Sequence, residues 1–450
     1  MARLAGLVAL LLAVPAGATS GAPADLGGPA PCSAPTALPA PPSDRPLEVL
    51  RIRVLPGLTS AAGSLTVSFA PPVATDRLVF RLWPNSPYYA RRGARLTVTT
   101  VTEEGHTLPS SRPNPTTLVV RRPVAAHERV RVSMAWTLRL PTRPGLQLHG
   151  GRSARLVSFY PMLAWDGEGW ATDPPFTKLE YFFTTSPTAD FDVRLSVPRG
   201  LRVLGSGEDL GNGRWRARAV RDFALAIGSW KIATTSVKAP RPVHVTVGLE
   251  AGSDITGYSV RDYLAATTRA LRFYAQRFGD YPWSTYTLAV MKDFASLNGN
   301  AYPTIGFLGD SSFVLTPHET AHQWFYSLVG NNQSRDPWIS EGLATWAQTG
   351  PEQSLGIMVA TPIPPAVRNR IGEPMSFWDP LGFETLRLGV YVQTVQALAS
   401  LGTAADVECA LRRFVVANAY RVAVPRDLLE SLQPSFPDAA QKLGAWGAHF

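Results

Sequence analysis

Cysteine and histidine are scarce in this chain: two Cys and seven His in 450 residues. Cys32 and Cys409 stand too far apart in sequence for a two-cysteine zinc knuckle. Long apolar runs are scarce too. The one at the amino terminus, ending near Val14, is too short to span a bilayer comfortably, so no transmembrane segment is expected in the mature protein. Positive charge is in excess, with a formal net of +9, but basic runs interleaved with stacking aromatics are missing. That argues against a nucleic-acid module. The excess is also local. Residues 46–235 hold 25 basic and 14 acidic side chains, whereas residues 236–450 hold 16 and 18. It is nearly all arginine at outward strand positions, which reads as a solvated face.

Residues 1–18 combine Arg3, an apolar stretch and Ala16-Gly17-Ala18, the pattern of an export signal cleaved near Ala18. The mature chain is therefore expected in a periplasmic, cell-envelope or extracellular setting. Residues 19–45 are rich in Pro, Ala, Ser and Gly and read as a linker. In an oxidising compartment Cys32 and Cys409 could bridge and pin that linker.

From 46 to 235 the period is two. In Arg129–Leu140, Val130, Val132, Met134, Trp136, Leu138 and Leu140 point one way and the arginines the other. This predicts an antiparallel, sandwich-like β domain without internal repeats. Residues 236–450 mix strands (Val243–Leu249, Thr287–Met291, Tyr302–Phe307) with helical patterns, including one stopped by Gly279 and two over Gly389–Leu401 and Ala404–Ala417. His244 falls on the polar face of its strand. The whole is α+β.

The chemistry concentrates in Pro317–Trp346. His318 and His322 lie four apart, so a helix puts both imidazoles on one face. Such a pair chelates Zn²⁺, and Glu319 between them can reach a metal-bound water. Glu341, nineteen residues after His322, lies in a second helical pattern that returns after a loop over Asn331–Asp336. Two His and one Glu leave a coordination position open, as catalytic rather than structural zinc sites do. Chance is a poor explanation. With so few histidines, roughly 0.005 HExxH matches are expected at random. Pro317 should start or kink the metal helix, with Thr316 as cap.

HETAHQWF followed by WISEGLATW resembles the M1 family of zinc metallopeptidases, the gluzincin aminopeptidases. FGDYPW at 278–283, FYPMLAWDGEGW at 159–170, ADFDVRLSVPRG at 189–200 and RDFALAIG at 221–228 extend the likeness to roughly residues 46–420. The resemblance implies a thermolysin-like catalytic half, of a bacterial two-domain type without the helical carboxy-terminal domain. It implies one Zn²⁺ per chain on His318, His322 and Glu341, Glu319 as general base and Tyr391 as transition-state stabiliser. It also implies peptide substrates, with a monomer as the default state. Asn298, Gly299, Asn300, Ala301 and Tyr302 occupy the substrate-binding stretch. Gly299 and Tyr302-Pro303 match the family's Gly-x-Met-Glu-Asn type motif, but Ala301 stands where its amine-binding Glu belongs. Gln393 and Thr394 replace a usual Lys and Gly. The implied activity is peptide hydrolysis by a Glu-assisted, zinc-bound water, as an aminopeptidase. The alternatives are an endo- or oligopeptidase of the same fold, or a secreted binding protein with purely structural zinc.

Overall fold

In the computed structural model, residues 32–143, 145, 148–179, 185–253, 257–292 and 298–450 are described. The expected export signal and the start of the linker lie outside them.

Alternation in the first half becomes an eight-stranded sheet. Its main strands are β1 (Leu47–Val54), β2 (Ser60–Phe69), β3 (Arg95–Glu103), β4 (Val130–Arg139), β5 (Ala189–Ser196) and β6 (Arg214–Val220). They lie in the order β6-β5-β1-β2-β4-β3, with Glu208–Asp209 and His106–Thr107 at the two edges. In β4 every second residue from Val130 to Leu138 is buried, while Arg131, Thr137 and Arg139 face solvent. Burial of that apolar file is what fixes the register, because a one-residue slip would turn it to water. The sheet is not wholly antiparallel, as the sequence suggested: β1 and β5 run parallel. Strands so far apart in sequence are joined by long connections, so no hairpin dictates their direction. A four-stranded sheet around Thr75–Arg81 and Thr117–Val124, and a three-stranded one around Leu225–Gly228, complete this half.

The second half is built on a five-stranded mixed sheet. Its strands are β7 (Trp230–Lys238), β8 (Pro242–Glu250), β9 (Thr285–Met291), β10 (Gly299–Tyr302) and β11 (Ile305–Gly309), in the order β7-β8-β9-β11-β10. The sheet thus reaches back to Trp230, before the boundary expected near 235. The stretch Tyr302–Phe307, expected as one strand, is a hairpin: β10 turns at Pro303-Thr304 into β11, with Thr304 at φ 63°. Pro303 cannot donate to a ladder, so the chain reverses there.

Helix α1 (Val260–Phe278) starts at a capping box. Ser259 N donates to Asp262 Oδ2 at 2.7 Å, and Asp262 N donates back to Ser259 Oγ at 3.3 Å. It stops at Gly279, whose φ of 109° suits glycine. Two devices tie the halves together. The buried Arg221 guanidinium donates to the carbonyls of Ser186, Ser327, Leu328 and Arg421. The Asp379 carboxylate accepts from the backbone N–H groups of Thr177, Lys178 and Leu179.

Residues 32–45 form no helix or strand, and they are docked on the second half. Cys32 is disulfide-bonded to Cys409, and Thr36 O accepts from Asp280 N at 2.9 Å. Among the described residues, no helix is long and apolar enough to cross a membrane.

Candidate metal and catalytic site

Helix α2 (Thr316–Ala321) carries the two histidines, with His322 as its carboxy-terminal cap. Pro317 sits in its first turn, as expected. Thr316 does not cap it: Leu315 holds the cap position, and the Thr316 hydroxyl donates to Phe313 O at 2.7 Å. The preceding residues already form a tight turn, Phe313–Leu315, which supplies that carbonyl. Helix α1 holds α2 from behind. Tyr274 OH donates to Pro317 O at 2.9 Å, and Trp324 Nε1 donates to Gly279 O at 2.8 Å.

Glu341 comes from a wide π turn, Trp338–Gly342, that runs into α3 (Leu343–Glu352). Tyr391 comes from another, Arg387–Val392, leading into α4 (Gln393–Ala399). Such turns insert an extra residue per turn and re-aim a side chain, and they concentrate at functional sites. The two are keyed together by Gly342: a Cβ there would lie 2.5 Å from Thr394 Cβ. Gln393, wholly buried, accepts from Asn369 N and donates to the carbonyls of Val367 and Gly389, so it braces the Tyr391 turn.

These elements bring three ligand atoms together. His318 Nε2 and His322 Nε2 are 3.1 Å apart, and Glu341 Oε2 lies 3.6 and 3.5 Å from them. Ligands bound tetrahedrally to Zn²⁺ at about 2.0–2.2 Å stand roughly 3.3–3.5 Å from one another, so the spacing fits. No other group of three such donors occurs among the described residues. The far nitrogen of each ring is engaged. His318 Nδ1 meets Gln348 Oε1 at 3.0 Å, and His322 Nδ1 meets Phe325 O at 3.0 Å. Two acceptors at Nδ1 hold the proton there and leave both Nε2 lone pairs for a metal. Gln348 is oriented in turn by Glu352 Oε1, at 2.8 Å.

Electrostatics divides the carboxylates. Burial would raise Glu341, but His322 and His318 facing it win and hold it well below the usual carboxylate range. Burial pushes Glu319 up to about 8, with Glu341 adding to that and His322 opposing it. Burial lowers His318; it would lower His322 too, but Glu341 and Glu319 raise that ring to about 9. The imidazoles differ because one proton satisfies the shared carboxylate, and His322 sees the second acid as well. A bound cation would replace that proton.

Glu319 lies beside the triad but outside it. Its carboxylate abuts Gly299, where a Cβ would sit 2.6 Å from Glu319 Cδ. Gly299 therefore lets β10 pass directly over that acid. Strand β10 is a sheet edge, paired only with β11 among the described strands. Of the predicted substrate stretch, Gly299 and Ala301 are half-buried, and Asn300 and Tyr302 are buried. The Tyr302 ring packs against Phe307 and Tyr326, so its side chain belongs to the core. Asn298 closes the hairpin, donating from N to Ser312 Oγ and accepting from Gly309 N. The Tyr391 ring lies parallel to His318, with centroids 6.0 Å apart.

No protein-family model matches the chain. Aminopeptidase B of Mus musculus is 25% identical over 187 residues, which is 37% of this chain and 27% of that protein. Human aminopeptidase B is 33% identical over 78 residues, 16% of this chain and 12% of the relative. The match thus spans about a quarter or less of these relatives' length. Structural likeness extends much further. The crystal structure of an M1 zinc metallopeptidase from Deinococcus radiodurans superposes with a TM-score of 0.65 at 20% identity, covering 92% of this chain and 96% of that one.

The chain has the M1 zinc metallopeptidase fold. A variant of the same Deinococcus enzyme bound to a Tyr-Ser-Ala substrate superposes with a TM-score of 0.64.

Within this M1 fold, sequence reasoning missed three supporting residues. Gln348 stands seven positions after Glu341, two helical turns along the same face, and that spacing could have flagged it. Thr394 could not be paired with Gly342 without coordinates. Gln323 is wholly buried. Its Nε2 donates to Tyr302 O at 3.0 Å and its Oε1 accepts from Thr304 N at 2.8 Å. It clamps the β10–β11 turn onto the residue beside His322.

Proposed function

We propose that the protein is a zinc-dependent peptidase acting on peptides, in first place as an aminopeptidase. One observation carries this: two imidazole Nε2 atoms and a carboxylate oxygen converge at 3.1–3.6 Å, with a separate buried carboxylate alongside that joins neither. A structural zinc site has no use for that second acid. A zinc ion held by His318, His322 and Glu341 would supply Lewis acidity and a water of lowered pKa. Glu319 accepts a proton at its carboxylate and returns it to the leaving amine. Its burial beneath Gly299 keeps bulk water from competing for that proton. Tyr391 offers its phenol O–H to the oxygen on which charge develops. The edge of β10 offers backbone groups to an extended peptide.

The aminopeptidase reading is supported by the matches to aminopeptidase B. Ala301 favours a second reading, an endo- or oligopeptidase, because a free amine finds no carboxylate at that position. The disulfide between Cys32 and Cys409 supports an exported, oxidising setting.

Glu319→Gln tests the mechanism. Zinc content should stay at one per chain while turnover falls at least a hundred-fold; full activity removes Glu319 from it. Free and amino-terminally acetylated forms of one peptide separate the two specificities. Equal cleavage of both rejects the exopeptidase.

A further inference from the structure

The arginine excess of the first half is not evenly spread once the strands are paired. On the outer face of the eight-stranded sheet, Arg51 of β1 stands opposite Arg194 of β5, and Arg194 stands opposite Arg214 of β6. Three guanidinium side chains thus form one lateral row at a strand pitch of about 5 Å, and Arg53 lies two residues from Arg51 on the same face. Like charges opposite one another across strands are unfavourable. Neighbouring arginines on this face are neutralised: Arg45 pairs with Asp190, Arg218 with Asp192 and Arg216 with Glu208. Among the described residues, no carboxylate pairs with Arg51, Arg53, Arg194 or Arg214. The row also borders a concavity of about 580 Å³ lined by Arg51, Arg53 and Arg194, with Ala62 and Ser64 of β2 opposite Arg53 and Arg51. Small side chains there keep the floor low and the guanidinium groups reachable.

We propose that this face is a docking surface for a linear phosphate polyanion, independent of the peptidase reading. Charge complementarity selects the sign of the ligand, and guanidinium is suited to phosphate oxygens. The aligned row in a trough fits a chain of anions better than a flat bilayer. No large exposed apolar side chain lines the trough to enter lipid.

Long-chain polyphosphate is the probe, titrated into the full chain at 50 and 200 mM salt. Four contacts to a single-stranded polyanion give a log K against log salt slope of about −2.8, a roughly fifty-fold loss over that range. Arg51→Gln with Arg194→Gln should halve the slope and reduce the loss to about seven-fold. Arg95→Gln with Arg131→Gln removes the same net charge from the same sheet outside the trough, and should leave the slope unchanged. Equal effects of the two pairs would show a diffuse net-charge effect and overturn the proposal. So would no binding at 50 mM salt, or preferential binding of phosphatidylglycerol vesicles through the same four arginines. Peptidase activity is not expected to change in either pair.

Discussion

Replacing Gln323 with Met tests whether the tie between the metal helix and the edge strand matters. Methionine nearly conserves volume in this fully buried position, so packing is preserved and only two hydrogen bonds are lost. Thr304 N–H is left buried without its acceptor, at about 1–3 kcal/mol, and the bond to Tyr302 O adds about 1 kcal/mol. The expected destabilisation is therefore about 2–4 kcal/mol in urea unfolding of the zinc-loaded protein. The candidate metal ligands are anchored elsewhere, by Tyr274, Gln348 and Phe325. Zinc content should accordingly stay at one per chain. The β10–β11 turn loses its register against α2, so KM for a peptide should rise about ten-fold with a smaller change in kcat. Gln323→Glu refines the test. It keeps an acceptor for Thr304 N–H but sets a carboxylate against the Tyr302 carbonyl, so it must be protonated to fit. Its folded pKa is then raised, and its deficit relative to wild type should grow as pH increases. A Met variant with wild-type stability and wild-type KM would refute the clamp.

Glu48 is buried in the β-domain core, where burial first and Asp222 second raise its carboxyl to about 8. The native state then holds a proton the unfolded chain releases near pH 4.5, so this group's contribution to stability falls as pH rises from about 4.5 to 8 and is flat beyond. Glu48→Gln should remove a penalty of about 3–5 kcal/mol at pH 8 and change little at pH 4.5, read as thermal midpoints at the two pH values; equal shifts at both would be inconsistent. Chelation should lower the thermal midpoint of the wild type, because an ion held by His318, His322 and Glu341 would bind the folded chain preferentially. Glu341→Ala should show no zinc-dependent midpoint, and a wild-type response in that variant would place the metal elsewhere. Cys409→Ser should release residues 32–45 and cost about 2–4 kcal/mol, with faster proteolysis of that segment; unchanged stability would mean the docking of Thr36 on Asp280 suffices alone.

Local periodicity and spacing were enough to read the β-rich first half, the α1 helix with its glycine stop, and the ligand set His318, His322 and Glu341 as a candidate. Those features are written in short stretches of sequence: alternate burial in Val130–Leu138, a four-residue step between imidazoles, a stop at Gly279. Tertiary structure decided the rest. The parallel pairing of β1 with β5 joins segments about 140 residues apart, and no local pattern encodes its direction. The hairpin at Pro303-Thr304 depends on Gln323 from another element, and the π turns at Glu341 and Tyr391 depend on Gly342 meeting Thr394. A sequence can state which side chains are able to bind a metal or a phosphate chain. Whether their atoms meet, or three arginines fall into one row, follows from packing between distant segments, where burial and sterics outweigh local preference.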